Sequence, residues 1–493
     1  MIQPCYLRHL TLLSLLFATA LDAEEPEQSD YYTITSIPAP EGEVIEGGAI
    51  ELLPDGKVAV CTRRGRVWTV SNAITHPEKE AEWQVFAEYL HEPLGLAWKD
   101  GSLYAVQRPE VTRLTDEDGD GRADLFETVS DDWGISRDYH EYTFGTRFDD
   151  EGNLWCTLCL TGSSKANALY RGWVLRVNED GTMLPTASGV RSPGGIGFNA
   201  DGDVFYTDNQ GLWNGSSSLK WVKPGSFQGN PNGNIYYAFA GDEMGPVPND
   251  PPFDSEGSLT VVERDNIAEY VPPAVVFPHG RIGQSPTVVE TDHSGGKFGP
   301  FAGQVFVGEQ CHSEIQRVFL EKVNEVYQGA VFPFLEGFAS GNIGVRMTPD
   351  GQLFTSGSNR GWGARGGKEF AFERVDWTGT IPFEIHEMRA RADGFELTFT
   401  KPIDPQTLSE KTFRMEAFTY QYRAGYGSPE IEKVEPSVQV TKVEADNLSL
   451  RIEVDPMIRG HVHGLFVEGL EDADGIRLLN PEAYYTLNEI PGG

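Results

Sequence analysis

Gly195-Ile-Gly-Phe-Asn-Ala-Asp-Gly-Asp-Val-Phe-Tyr-Thr207 consists of two apolar, alternating runs joined by a turn of the form x-Asp-Gly-x. An Asp-Gly turn between such runs is a strong short-range hairpin signal, because both residues tolerate the left-handed backbone that tight hairpins require. The same unit recurs at Ala49–Cys61 around Pro54-Asp55-Gly56, and at Leu94–Val106 around Lys99-Asp100-Gly101. It returns at Phe144–Leu158 around Asp150-Glu151-Gly152 and at Val345–Thr355 around Pro349-Asp350-Gly351. A looser copy, Thr287–Val307, carries Gly295-Gly296 and an insertion. Start-to-start spacing is roughly 45 to 60 residues, with a gap of about 90 between the fourth and fifth copies. Such a period, with a strand pair in each copy, is the signature of a β-propeller. Six copies predict six blades over residues 35–378, with a Gly-, Asn-, Ser- and Pro-rich insertion at 212–275.

Beyond Trp377 the pattern changes. Short alternating segments such as Gly394–Thr400, Leu448–Val454 and Val462–Glu468 predict an immunoglobulin-like β-sandwich over 380–490. The expected fold is all-β: a six-bladed β-propeller followed by this sandwich. Two domains also suit 493 residues, at about 150 residues per domain. Gly (55) and Pro (31) are plentiful, as many short strands and turns require.

Composition removes several functions. A net charge of −35 argues against binding a nucleic-acid backbone or an anionic membrane, which need clustered positive charge. At 39% hydrophobic residues the chain can build a real core. Residues 1–23 read as a signal peptide: Arg8 and His9 precede an apolar run, Leu10–Phe17, and a small-residue site at Ala18-Thr19-Ala20. A periplasmic or extracellular protein with no membrane insertion after cleavage is therefore expected. Cys61, Cys156, Cys159 and Cys311 are too few for a disulfide scaffold. Cys156 and Cys159 form a CxxC, but Leu160 follows where haem attachment needs His. Buried thiols, or one bridge to another strand, are the expectation.

Two patterns carry chemistry. Asp116, Asp118, Asp120, Arg122 (through its carbonyl), Asp124 and Glu127 fill the positions of a calcium loop, with Gly121 at the sharp turn. The flanks read as strands, so the loop is expected to stiffen a blade. The second pattern is positional. Lead-ins to the inner strands, and turns after the second strands, open on one mouth of a propeller's channel. They carry Glu43, Glu46, His91-Glu92, Asp138-Tyr-His140-Glu141, Arg191-Ser192, His279-Gly-Arg281, Gln284, Asn342 and Arg346. The turns add Gln107-Arg108, Asp208-Asn-Gln210, Cys311-His312 and Asn359-Arg360. Four of the ten histidines thus fall around one opening. Histidine suits general base work near neutral pH, and arginine forks suit carboxylates and anionic quinone oxygens.

The segments His140–Trp155, Arg191–Gly202 and Phe205–Gly211 resemble those of six-bladed sugar dehydrogenases that use pyrroloquinoline quinone. A closer resemblance is to a group of secreted, membrane-bound-dehydrogenase-type propellers. It rests on Thr207-Asp-Asn-Gln-Gly211, Val222–Phe227, Ser358-Asn-Arg-Gly-Trp-Gly363 and Phe383–Met388. The resemblance implies that His140 takes a sugar hydroxyl proton and that Arg191 contacts the cofactor. It implies calcium ligands in the carbonyls near Gln210 and Gly211. With His91, His279, Arg281, His312, Arg346 and Arg360, these form the expected cofactor-binding set. Three departures stand out: Ser192 replaces an Asn, Cys311-His312 a Lys, and Arg346 alone a pair of arginines.

Three readings follow. One is a quinone- and calcium-dependent sugar or alcohol dehydrogenase, serving an electron-acceptor protein. Another is a non-catalytic carbohydrate- or protein-binding propeller, with Trp98, Trp155, Trp213 and Trp362 available for stacking or for the core. A third is a metal-dependent hydrolase or lactonase built on Glu92, Glu141, Asp208 and Asn209 or on the histidines.

Overall fold

The computed structural model describes residues 25–76, 80–252, 257–361 and 363–492. The signal-peptide segment 1–23 and Trp362 lie outside these residues. The described chain is all-β and propeller-like. Six sheets each contribute one first strand: Gly47–Leu52, Gly95–Lys99, Thr143–Phe148, Pro193–Phe198, Pro286–Thr291 and Asn342–Met347. Each first strand packs on the next, and the last returns to the first, so the ring is closed. The hairpin turns obey the local chemistry. Asp100 (φ 47°) and Gly101 (φ 85°) both take the left-handed backbone between Gly95–Lys99 and Ser102–Val106.

The inner strands approach closely because glycine lines them. A Cβ on Gly197 would stand 2.0 Å from the Val289 carbonyl oxygen, and one on Gly344 would stand 1.9 Å from that of Gly48. Apolar side chains fill the spaces between neighbouring sheets. Tyr32–Ser36, at the start of the described chain, pairs antiparallel with Phe370–Trp377 as the outer strand of the last sheet. This joins the two ends of the ring by hydrogen bonds.

Two expectations need correction. Ser217–Trp221, inside the predicted insertion 212–275, is the third strand of the fourth sheet, with Val275–Phe277 outside it. The true excursion lies between these strands. There Ser226–Phe227 pairs in parallel with Met183–Ser188 of the preceding sheet. The C-terminal segment is also not free-standing. One of its sheets, Ile385–Arg391, Gly394–Phe399, Ser449–Asp455 and Ser437–Val443, is separate. The other continues the fifth sheet of the ring through Glu482–Leu487 on Val326–Leu335. The ten-residue strand Val326–Leu335 would otherwise present an open edge, and Glu482–Leu487 pairs with its central Gly329–Val331 stretch. Phe319 and Phe332 from the ring share a core with Phe395, Met415 and Tyr485. No helix among the described residues is long and apolar enough to cross a membrane.

Candidate functional site

The mouth where the first strands begin is laced by ion pairs. Glu92 accepts from Arg63 Nε at 3.1 Å and from Arg108 Nη1 at 3.0 Å. Its backbone is left-handed (φ 48°), an uncommon state for a side-chain-bearing residue and one that clusters at functional sites. Glu46 accepts from Arg64 at 3.1 Å and lies 3.8 Å from Arg360. Arg108, itself buried, also donates to the Asp138 carbonyl. This carries the network to the lead-in that holds His140. The backbone N–H of His140 donates to Asp138 Oδ1 at 2.8 Å, and its ring lies 4.0 Å from that of Tyr139.

Burial lowers the pKa of three histidines at the mouth. Burial lowers the pKa of His140; Asp138 opposes the shift and Arg191 adds to it. Burial, then Arg108, lowers His91 against the pull of Glu92. Burial, then His312, lowers His279. His312 is buried, with Nδ1 3.6 Å from Glu314, and its backbone N–H donates to the fully buried Glu309.

Arg191 is the pivot. It is 6% exposed. Its Nε donates to the Ser163 carbonyl at 3.1 Å, and its Nη1 donates to the carbonyls of Gln210 (2.7 Å) and Asn209 (3.4 Å). Gly211 is needed beneath it, since a Cβ there would stand 2.1 Å from Arg191 Cζ. The C-terminal domain reaches this same spot. Gly427 N–H donates to the Gly211 carbonyl at 2.9 Å, and the Tyr426 ring lies 5.1 Å from the Arg191 guanidinium carbon.

That geometry tests the expected cofactor. A calcium-held quinone needs free carbonyl oxygens near Gln210 and Gly211. Here both accept hydrogen bonds, one of them from a guanidinium whose charge would repel a cation. The residues therefore do not fit a calcium ion and quinone at this spot. The carboxylates proposed for a hydrolase fare no better. Glu141 is fully buried and accepts from Ser136 and Thr161, and Asp208 is fully buried against Lys220 at 3.3 Å. Among the described residues, the one group of three or more His, Cys, Asp or Glu side chains close enough to share a metal is Asp116, Asp118 and Asp120.

The structure brings His91, His140, Arg191, Gln210, Gly211, His279, His312 and Arg360 to the mouth, and gives Arg346 and Arg281 other roles. Arg346 sits toward the far end of the channel, next to last in its inner strand Asn342–Met347. There it bridges Glu51 (2.9 Å) and Glu290 (3.1 Å), and Arg147 joins Glu290 at 3.0 Å. Arg281 donates to Glu416 and Glu430 of the C-terminal segment and lies over Phe418, so it ties that segment to the lead-in of the fifth sheet.

The acidic loop is partly as expected. Both Asp116 oxygens accept backbone N–H groups, from Gly119 (2.7 Å) and Gly121 (2.9 Å), and Asp120 accepts from Arg122 N–H at 2.8 Å. Asp124 accepts from Glu117 N–H at 2.8 Å. Glu127 does not close the loop. It lies on the strand Leu125–Ser130, and its register opposite Arg113 makes a 2.5 Å ion pair. By strand alternation this loop opens on the face opposite the mouth.

All four thiols are buried and free, and Trp155 and Trp213 are buried. Among the described residues, the exposed aromatics at the mouth are tyrosines: Tyr89 (97%), Tyr139 (59%) and Tyr426 (60%). Sequence reading missed Arg63, although it occupies the same post-second-strand turn as Arg108. It missed Tyr426 because only the docking of the C-terminal sheet brings that loop over Arg191.

A family described as a domain of unknown function (DUF7133) matches residues 79–237. No curated protein matches the chain. Among solved structures the chain is similar to a Thermus thermophilus chain described as an oxidoreductase (glucose dehydrogenase). The two are 20% identical over 70% of this chain and 99% of that one, with a TM-score of 0.49. It is similar to the PQQ-bound aldose sugar dehydrogenase of Streptomyces coelicolor, at 15% identity over 70% and 98%, TM-score 0.48. A Trichoderma reesei carbohydrate-active enzyme, in a calcium structure, is 14% identical over 74% and 100%, TM-score 0.49. At these identities and scores, the fold rests on the closed strand ring and the chemistry on the residues at its mouth.

Proposed function

We propose that the chain is an exported, dehydrogenase-like six-bladed propeller with an immunoglobulin-like C-terminal sandwich, and that its mouth binds a carbohydrate or another polyol without a calcium-held quinone. The observation that carries this reading is the state of the Arg191 sector. Its carbonyls are already engaged, and the exposed Tyr426 lies against its guanidinium. The charges at the mouth are paired with one another through Arg63–Glu92–Arg108 and Arg64–Glu46, which suits a neutral ligand better than an anion. Imidazoles and main-chain groups can hydrogen-bond to hydroxyls, while tyrosine faces take the apolar side of a sugar ring. The Asp116–Asp120 loop is proposed as a calcium-stiffened turn on the opposite face.

The oxidoreductase reading keeps one supporting observation. Burial, with Arg191 adding to it, lowers the pKa of His140, which favours the form able to take a proton from a bound hydroxyl.

Saturation-transfer NMR with D-glucose, maltose, cellobiose and glycerol tests the proposal. Transfer to at least one sugar, reduced in His140→Ala, is the expected result. Absence of transfer to all four would overturn it.

A further inference from the structure

We infer that Tyr426, supplied by the C-terminal domain, is the ring on which a bound sugar stacks, so that the mouth is complete only with that domain docked. This rests on the polyol reading and names its aromatic subsite. The loop that carries Tyr426 is anchored on both sides. On one side Tyr422 is buried, donates to the Gly229 carbonyl and stacks on Tyr270 at 5.4 Å and 16°. Next to it, the Arg423 carbonyl accepts from Trp213 N–H at 2.8 Å. On the other side, Gly427 N–H donates to Gly211 at 2.9 Å and Ser428 N–H to Gly215 at 2.9 Å. Arg423 Nε returns to the Gly427 carbonyl at 2.9 Å and ties the loop across its base. Gly427 is left-handed (φ 58°), and a Cβ there would stand 2.7 Å from Gln210 Cδ, so the loop sits flush on the mouth.

Between these anchors the Tyr426 ring remains 60% exposed. A residue serving only to fill the domain junction would be buried, as Tyr422 is. One side of the ring lies toward the Arg191 guanidinium, which fixes its position, and much of its remaining surface is left to solvent. Burial lowers the pKa of His140 and Arg191 adds to the shift, which places the imidazole and the Tyr426 ring around one guanidinium. An apolar sugar face on the ring, with hydroxyls toward His140, is the arrangement these groups allow.

The test uses the full chain with D-glucose, maltose and cellobiose as probes, titrated by NMR against wild type, Tyr426→Ala and Tyr426→Phe. Tyr426→Ala should weaken binding about ten-fold. Tyr426→Phe, which keeps the ring, should stay within about two-fold. Gly427→Val, which lifts the loop off Gln210, should mimic Tyr426→Ala, with melting temperatures checking that each variant is folded. Wild type binding a probe with Tyr426→Ala equally tight would overturn this inference and leave the polyol reading intact. Wild type binding none of the probes would overturn both.

Discussion

Gly211→Ala probes the Arg191 pivot at a single atom. The new methyl would stand 2.1 Å from Arg191 Cζ, 2.2 Å from Nε and 2.5 Å from Nη1, distances no side chain tolerates. The guanidinium must leave its carbonyl cradle and lose bonds of 2.7 and 3.1 Å, together with a longer one of 3.4 Å. Charge-assisted hydrogen bonds contribute about 1.5–3 kcal/mol each, and an ejected guanidinium regains some hydration. Taking the low end for the two short bonds gives about 3 kcal/mol. The lost stack on Tyr426 adds about 0.5–1 kcal/mol. The assay is urea unfolding followed by tryptophan fluorescence, run as a double-mutant cycle with Arg191→Ala. In wild type the substitution should cost about 3.5–4 kcal/mol. In the Arg191→Ala background it should cost under about 0.5 kcal/mol, because the clash has been removed. Equal costs in both backgrounds would refute the idea that Gly211 exists to seat Arg191.

Other consequences are open to measurement. Burial alone would raise Glu290, but Arg147 and Arg346 outweigh it and hold the carboxyl below its ordinary 4.5. Its contribution to stability is therefore present above that value and lost as pH falls through the lower folded one. Stability measured from pH 5 to pH 3 should fall less steeply in Glu290→Gln, and an unchanged slope would contradict the linkage. Arg346→Met removes the guanidinium partner of Glu51 and one of two for Glu290, and should cost about 3 kcal/mol in urea unfolding. A cost near zero would mean the far-end cluster is idle. Burial pushes the thiols of Cys61, Cys156 and Cys311 up to about 12 and raises Cys159 as well. Alkylation at pH 8 mapped by mass spectrometry should leave these four unlabelled in the native protein and label them after unfolding. Early labelling of any one would contradict its burial. Calcium titrated calorimetrically into chelator-treated protein should show one site that vanishes in Asp118→Ala, and no heat in wild type would remove the loop from the account.

The propeller-like ring was legible because each hairpin announces itself locally. Asp100-Gly101 demands a left-handed turn, and the flanking alternation fixes which faces are buried. The third and fourth strands were not legible in the fourth sheet, where Ser217–Trp221 lies in a stretch whose Gly and Asn content reads as loop. The mouth was legible by topology, since whatever precedes an inner strand must open there. That rule placed His91, His140 and Arg191 together, and it failed for Arg346 because its strand begins earlier, at Asn342, leaving Arg346 next to its far end. The calcium loop was overextended to Glu127, since a spacing rule cannot see that strand register turns this side chain to Arg113. Nothing local marks Tyr426 or the pairing of Glu482–Leu487 with Val326–Leu335, which depend on contacts between residues far apart in the chain.

The most direct test of the central claim is calorimetric titration of calcium-loaded protein, first with pyrroloquinoline quinone and then with whichever sugar gives saturation transfer. The account predicts no heat from micromolar quinone, sugar binding that does not depend on it, and no dye reduction. Tight quinone binding, with sugar-dependent dye reduction that disappears in His140→Ala, would contradict it. Such a result would show that Arg191 and Gly427 vacate the Gln210 and Gly211 carbonyls for a cofactor.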